Sequence, residues 1–577
     1  MTIDIEVNNR TIKATKGETI LSALHKNGIR VPTLCHMKDL FPTGACRMCV
    51  VEMEGKKNLV PSCSYPVTEW IKIKTHSPRV IKARKTIIEL LLSSHPDDCL
   101  YCIRNGNCEL QSLSESFNIQ ERRFAGHKTT KQIDRTSESI IREPEKCILC
   151  ERCVRYCEEI LNISAIDFIG RGSDSTIGPE FNNGLNISSC IDCGQCTLLC
   201  PSGALHEKTN FNIIIEALHN PKTHVIAQYD GAFASSISEE FGIKSGKDIS
   251  KLINSTLKLM GFDKVFDTSF GSDLYITEVS QQIINNIKSN KNLPVVSSHC
   301  PAWVKYIDKN FPEAKKLFTT VKPPQQLLGK ILKTYYAEKI SIEKENIFVV
   351  SINSCTAKKD EITKPNYSSN GVKNIDASLT TRELAAFIRI HDIQVNQMIE
   401  TLSDLPFGFS SSSGKISAIS GGLTEAIART AYYMSNEKEI QPPRINKLRN
   451  TKSTKELTIS LNKKRYQMVA VDNIKKAHQL VKEAMNGDSN IAFIEVNVCP
   501  QGCINGGGQP LKCDDEILKA RKKYLYDIDN RASIRTTYKN SEIKEIYSKY
   551  LDDPGSKKSI ELFYEKHILK QQKYDSI

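Results

Sequence analysis

No stretch of the 577-residue sequence approaches the roughly 18 consecutive apolar residues that a membrane-spanning helix needs, so no membrane span is expected. The opening MTIDIEVNNR lacks the charged-then-apolar order of a secretory leader, and the expected location is cytoplasmic. No GxGxxG follows a strand-like run and no Walker P-loop is present. The triple glycine Gly506–Gly508 fits neither pattern, so electrons are expected from another protein rather than from a nicotinamide held here. Zinc-finger and RNP-type motifs are also missing. The formal charge of +13 is spread along the chain among Asp and Glu, and no nucleic-acid partner is expected. With 40% hydrophobic and 25% charged residues, whole-chain disorder is excluded. The length suggests about three to five domains.

What is present in excess is cysteine, 20 in all. A reducing compartment does not keep that many as disulfides, so spacing has to explain them. Fifteen precede residue 201, which marks a boundary near residue 209. Before it, Ile3, Ile5 and Val7 followed by Thr11–Ala14 alternate as a β-hairpin. A helix is expected around 18–27 and strands at Met48–Glu52 and Trp70–Thr75. Residues 79–94 read as an amphipathic helix with Ile81, Ile88, Leu91 and Leu92 on its apolar side. After residue 210, strand-like runs at His224–Gln228, Pro294–Ser298, Asn346–Ile352 and Ala492–Val498 alternate with helical ones, the mark of parallel α/β units. The last 60 residues read as mostly helical.

Five cysteine sets stand out. Cys35, Cys46, Cys49 and Cys63 are spaced C-x10-C-x2-C-x13-C on loops after a hairpin, which suits a [2Fe–2S] cluster, with zinc as the alternative. His95, Cys99, Cys102 and Cys108 form H-x3-C-x2-C-x5-C; His95 stands close before a CxxC and reads as a candidate ligand, with a structural histidine at a helix end as the alternative. CxxCxxCxxxC then occurs twice, at Cys147, Cys150, Cys153 and Cys157 and at Cys190, Cys193, Cys196 and Cys200, the latter followed by Pro201. In such two-cluster runs each fourth cysteine ligates the other cluster. One cluster is therefore expected on Cys147, Cys150, Cys153 and Cys200, the other on Cys190, Cys193, Cys196 and Cys157. Two zinc sites are the alternative. The last set, Cys300, Cys355, Cys499 and Cys503, comes from three distant segments that each follow a strand-like run, where α/β sites collect. Glycines 506–508 would let backbone approach a bulky ligand closely. Cys513 fits no set and reads as a buried free thiol.

The first two sets, in that order, resemble the input modules of complex I large subunits and some hydrogenases. The remainder resembles the catalytic domain of [FeFe]-hydrogenases, through FDTSFGSDL at 266–274, SSHCPAW at 297–303, PPQQLLG at 323–329, SCTAKKDE at 354–361, SGGLTEA at 420–426 and CxxxCxxGGGQP at 499–510. RKKYLYDIDNRASIR and the segment after it resemble the small-subunit-like end of those proteins.

The resemblance implies a multidomain α+β and α/β protein. Its expected parts are a β-grasp plant-type ferredoxin domain (1–80), a small His/Cys cluster domain (81–125), a bacterial two-cluster ferredoxin domain (126–209) and a large α/β catalytic domain (210–577, helical from about 515). It implies four accessory clusters, one [2Fe–2S] and three [4Fe–4S], feeding an H-cluster. In that cofactor a [4Fe–4S] unit on Cys300, Cys355, Cys499 and Cys503 bridges through Cys503 to a diiron unit with CO, cyanide and a dithiolate. Lys358 would hydrogen-bond a cyanide ligand. The implied reaction interconverts H2 with protons and electrons, with ferredoxin or a similar acidic carrier and hydrogenase maturation proteins as partners. Clusters of this kind would lower the net charge by roughly 10, leaving the loaded protein near about +3.

The sequence departs from the family around the diiron pocket. His299 stands where active members carry a proton-passing cysteine. Glu278, Val279, Ser280, Gln281 and Gln282 supply fewer acids than the family path, Asn353 and Asn497 replace methionines, Ser354 replaces a proline, and Tyr229-Asp230-Gly231 replaces a small Pro-containing segment. Histidine's ordinary pKa near 6.5 makes His299 a candidate relay, with Asp230 or Glu278 as the next station. Its alternative is a packed, satisfied polar residue. A slow H2 or redox sensor, a complex I-like electron-input subunit and an iron–sulfur assembly scaffold are the competing readings.

Overall fold

The computed structural model describes residues 1–565 apart from positions 39, 122, 127, 129, 442–444, 488, 489 and 512. The expected helical character of 566–577 lies outside the described residues.

The N-terminal hairpin forms as expected, Thr2–Val7 pairing with Arg10–Thr15. Its inward residues Ile5, Val7 and Ala14 are buried. Lys72–Lys74 joins Thr2–Val7 in parallel, and Val50–Met53 and Val60–Pro61 complete a five-stranded mixed sheet against the helix Ile20–Lys26. The helix Pro78–Ser94 follows, started by Ser77, whose hydroxyl accepts from the Val80 amide.

That helix corrects the expected apolar face. Ile81 is 46% exposed, whereas Val80, Arg84 and Ile88, each four residues apart, lie buried. Ile81 falls one residue, about 100°, off that stripe. The Arg84 guanidinium is inside because it donates to the Val50 carbonyl at 2.7 Å. A hydrophobicity pattern cannot anticipate such a bond.

Beyond residue 210 two four-stranded sheets stand side by side. The first runs Lys264–Asp267, His224–Tyr229, Ile347–Asn353, Ala377–Thr380, all parallel. The second runs Val295–Val296, Ile491–Val496, Lys464–Val471, Thr454–Leu461. Its last pair is an antiparallel hairpin that lies outside the strand-like runs read from the sequence. Asn462 and Lys463 both take positive φ, the geometry of a two-residue turn that matches strand twist. The buried helix Ser269–Ser289 packs against Pro324–Ile331 and Gly422–Asn436. Helices Asp515–Arg531, Ser541–Ile546 and Lys557–Phe563 close the catalytic domain. Among the described residues no helix is long and apolar enough to cross a membrane.

Candidate metal centres and catalytic pocket

Strand ends set the catalytic cysteines. Cys355 lies just past the C-terminal end of Ile347–Asn353 in the first sheet; Cys300 and Cys499 follow Val295–Val296 and Ile491–Val496 in the second. The sheets therefore deliver their ligands to one place from two sides. Together with Cys503, His299, Lys358 and Asn497, these cysteines ring a single buried cavity.

Two further cavities lead to it. One is lined by Cys147, Cys150, Cys153 and Cys200, the other by Cys153, Cys157, Cys190, Cys193 and Cys196. Cys153 lines both of these, and Cys193 lines both the second and the catalytic cavity, so the three adjoin in series. Cys157 lines the cavity of the second run and Cys200 that of the first. Among the described residues no three ligating side chains converge tightly enough for a single ion; these sulfurs surround cavities instead.

The donor sets suit metal clusters. Burial pushes the Cys355 thiol up to about 12 and lifts Cys153, Cys193, Cys196, Cys499 and Cys503 well above the ordinary range. Such thiols ionise when a cation replaces their protons. In the N-terminal domain Cys35 pairs with Cys46 and Cys49 with Cys63. The hydrogen bond from its partner holds one thiol of each pair toward thiolate.

His95 is buried, and its Nε2 has no hydrogen-bond partner among the described residues, while Nδ1 lies 3.0 Å from the Pro96 carbonyl. Burial lowers its pKa and keeps the ring neutral. One nitrogen fixed by a carbonyl and the other left open is the arrangement of a metal-ligating histidine. Cys99 is exposed and Cys102 and Cys108 are half-buried. The Cys108 thiol donates to the Pro201 carbonyl at 3.5 Å, which places this set beside Cys200.

In the catalytic cavity Lys358 Nζ donates to Asn353 Oδ1 at 3.1 Å and lies 3.5 Å from Asp230 Oδ2. Burial disfavours its charge, but Asp230, Cys503 and Cys355 outweigh that and raise its pKa. Asp230 also accepts from the Phe233 amide at 2.7 Å and from the Ser354 amide and hydroxyl at 3.3 Å. Asn353 is fixed by Gln325, Ser351 and Ser378. Asn497 donates to the buried Glu495 at 2.6 Å. Asp230, Asn353 and Ser354 thus form one polar set with Lys358, while Asn497 lines the cavity and bonds outside that set.

His299 faces the same cavity, its ring edge-on to Tyr275 at 6.2 Å. The ordinary histidine pKa does not survive there. Burial, and then the Lys358 charge, push it down to about 3, so the ring is neutral at neutral pH.

Glu278 is not brought to this set. Its carboxylate accepts from the Tyr547 hydroxyl at 2.6 Å, the Tyr564 hydroxyl at 2.8 Å and the Gly555 amide at 3.0 Å, all from the C-terminal segment. No contact joins it to His299 or Asp230 among the described residues.

Gly506 lines the catalytic cavity, and the three glycines also pack tightly against other segments. A Cβ on Gly506 would collide with the Ser354 carbonyl, on Gly507 with the Cys193 carbonyl, and on Gly508 with Thr380. They let three cysteine-bearing segments pack backbone to backbone. Cys513 is half-buried, near Arg521 and Asn505.

Sequence reasoning missed Gln195, whose Nε2 donates to Cys499 Sγ at 3.3 Å and to the Asn505 carbonyl at 2.8 Å. It also missed Thr356, whose hydroxyl donates to the Asp192 carbonyl at 2.7 Å. Both tie the catalytic cysteines to the neighbouring cluster loop. A spacer inside a CxxC gives no sign of such a role.

A fold of this kind, with serial cysteine-lined cavities, defines an iron–sulfur oxidoreductase. The family model for the C-terminal domain of the iron-only hydrogenase large subunit matches residues 223–507, and that for the iron hydrogenase small subunit matches 515–565. Models for a 2Fe-2S iron-sulfur cluster binding domain (1–78), the NADH-ubiquinone oxidoreductase-G iron-sulfur binding region (84–123) and the ferredoxin-like domain of NADH-quinone oxidoreductase subunit 3 (137–206) cover the rest. The chain is 36% identical to the NADP-reducing hydrogenase subunit HndD of Solidesulfovibrio fructosivorans, over 99% of each. It is 31% identical to iron hydrogenase 1 of Clostridium pasteurianum, over 98% of this chain and 99% of that one. The apo [FeFe]-hydrogenase HydA1 of Chlamydomonas reinhardtii, as a single-residue variant, superposes with a TM-score of 0.56 at 26% identity, covering 62% of this chain and 98% of that one. The chain belongs to the iron-only, or [FeFe], hydrogenase family. It is a hydrogenase-type oxidoreductase with 2Fe-2S and 4Fe-4S modules.

Proposed function

We propose that this chain interconverts H2 with protons and electrons at an H-cluster held by Cys300, Cys355, Cys499 and Cys503. Four accessory clusters would form the wire: [2Fe–2S] on Cys35, Cys46, Cys49 and Cys63, His-ligated [4Fe–4S] on His95, Cys99, Cys102 and Cys108, and two [4Fe–4S] on the crossed sets. The domain limits follow these sets, at 1–80, 81–125, 126–209 and 210–577. The observation that carries this reading is the series of three adjoining cysteine-ringed cavities ending at His299 and Lys358.

When bound, the cofactor supplies the hydride chemistry. The protein's residues do the rest. Lys358, steadied by Asn353 and Asp230, offers a fixed cation to an anionic ligand. His299 faces the cavity as a neutral ring, which would pass a proton by taking one up at one ring nitrogen as the other gives one up. Asp230 is the nearer proton station, because it shares the Lys358 contact; Glu278 would act through the C-terminal segment that binds it.

Ferredoxin or a similar acidic carrier is the proposed donor. The relative named as a subunit of an NADP-reducing hydrogenase favours a second reading, in which a partner subunit exchanges electrons with the nicotinamide. Anaerobic maturation followed by infrared spectroscopy and H2 assays tests the whole proposal. CO and cyanide bands with H2 evolution from reduced ferredoxin are expected. Their absence after maturation would reduce the chain to a multi-cluster electron carrier, and bands with negligible turnover would favour the sensor.

A further inference from the structure

Away from the cysteine sets, where Gly422–Asn436 meets the segment after Asp515–Arg531, a solvent-connected cavity of about 220 Å³ is lined by Arg429, Arg449, Arg535, Thr536, Tyr538 and Lys539 among others. Its wall is built on a charge imbalance. Arg429 bonds Asp529 at 3.0 Å and pairs with Glu425; Arg449 bonds Glu425 at 2.6 Å and also reaches Asp529; Arg535 bonds Asp529 at 2.7 Å. Three guanidiniums share two carboxylates, both fully buried, which leaves one positive charge in excess. Lys539 does not alter the count, because it pairs with Glu439.

Donors remain as well. Arg535 Nε is buried and has no hydrogen-bond partner among the described residues. Thr536 is 7% exposed, and its Oγ1 likewise makes no hydrogen bond of good geometry there, though the Tyr538 hydroxyl lies close enough to sense it. The Arg535 side chain is 39% exposed, so its charge opens onto the cavity, while its buried Nε is a donor that an acceptor bound there would satisfy. Tyr538 stacks on the half-exposed Tyr433 at 3.8 Å, giving the cavity a flat aromatic side.

We propose that this cavity is a binding site for a phosphate group, free or carried by a small metabolite, recognised by Arg535 and Thr536 with the excess charge of the Arg429–Arg449–Arg535 set. The ligand would pin the segment around Arg535 to Gly422–Asn436. The network continues inward, since Arg429 and Arg535 share Asp529, and Asp529 accepts from the Ser412 hydroxyl at 2.7 Å. Anion binding would therefore stiffen the joint between the C-terminal helices and the catalytic core.

The test uses the full-length holoprotein under anaerobic conditions at constant ionic strength. Inorganic phosphate, AMP and phosphoserine are titrated by calorimetry and by thermal melting, with chloride as the control. Saturable one-to-one binding of at least one phosphate probe, with a rise in melting temperature that chloride does not give, is expected. Tight binding of inorganic phosphate identifies the free ion as ligand; binding of AMP or phosphoserine alone identifies a carried phosphate. Arg535→Gln and Thr536→Val should each weaken binding at least tenfold while leaving iron content unchanged. If Arg535→Gln melts early without ligand, Thr536→Val carries the test. Absence of saturable binding by all three probes, or binding that neither variant weakens, would overturn the proposal.

Discussion

Gln195, in the loop between Cys193 and Cys196, donates a hydrogen bond to the sulfur of Cys499, 304 residues away in the catalytic domain. The same amide holds the Asn505 carbonyl, so one side chain spans two cysteine-bearing segments. A donor aimed at a thiolate favours the reduced, more negative cluster. Gln195→Leu should lower the reduction potential of the cluster on Cys499 by tens of millivolts. Spectroelectrochemical titration reads this directly, and an unmoved potential would show the bond to be structural only.

His299 is the cavity's histidine, and burial holds it neutral. Removing it should take away a proton-exchanging group without disturbing the cluster ligands. His299→Ala is expected to lower H2 evolution at least about tenfold. Iron content should not change. Full turnover in that variant would remove His299 from the proton route.

Lys358 and Asp230 form a buried pair at 3.5 Å. Truncating one partner strands the other's charge, which costs about 3–5 kcal/mol in such settings. Lys358→Ala should therefore melt well below the parent, and Lys358→Ala with Asp230→Ala should recover part of the loss. An additive double variant in anaerobic melting would show that the two do not interact.

The His95 imidazole has its open nitrogen aimed away from its carbonyl partner. His95→Ala should lose one cluster, or about four irons per chain. His95→Cys should keep them. Iron analysis with electron paramagnetic resonance separates these outcomes; equal iron in parent and His95→Ala would mean the histidine is not a ligand.

Asp273 gives a pH dependence. Burial pushes its carboxyl up to about 7, although Ser411 and Asn540 bond it. The folded pKa exceeds the unfolded one, so its contribution is fully present below about pH 4 and is lost as pH rises through about 7. Asp273→Asn should flatten the fall in melting temperature between those values. A parent whose stability is level across this window would contradict the assignment.

Much of this protein is local in sequence. The CxxC sets and the hairpin at residues 2–15 were legible because two sulfurs three residues apart, or alternating side chains on a strand, are fixed by the geometry of a few bonds. The strands before Cys300, Cys355 and Cys499 were legible for the same reason. The second sheet's hairpin was not anticipated, because its turn, Asn462-Lys463, carries no glycine.

The sequence by itself determined which cysteines form sets and in what order they run along the chain. Tertiary structure alone decided the charge state of His299, the Asp230–Lys358–Asn353 contact, the capture of Glu278 by Tyr547 and Tyr564, and the reach of Gln195 to Cys499. Each depends on burial or on partners far apart in the chain, and neither has a period that neighbouring residues could reveal.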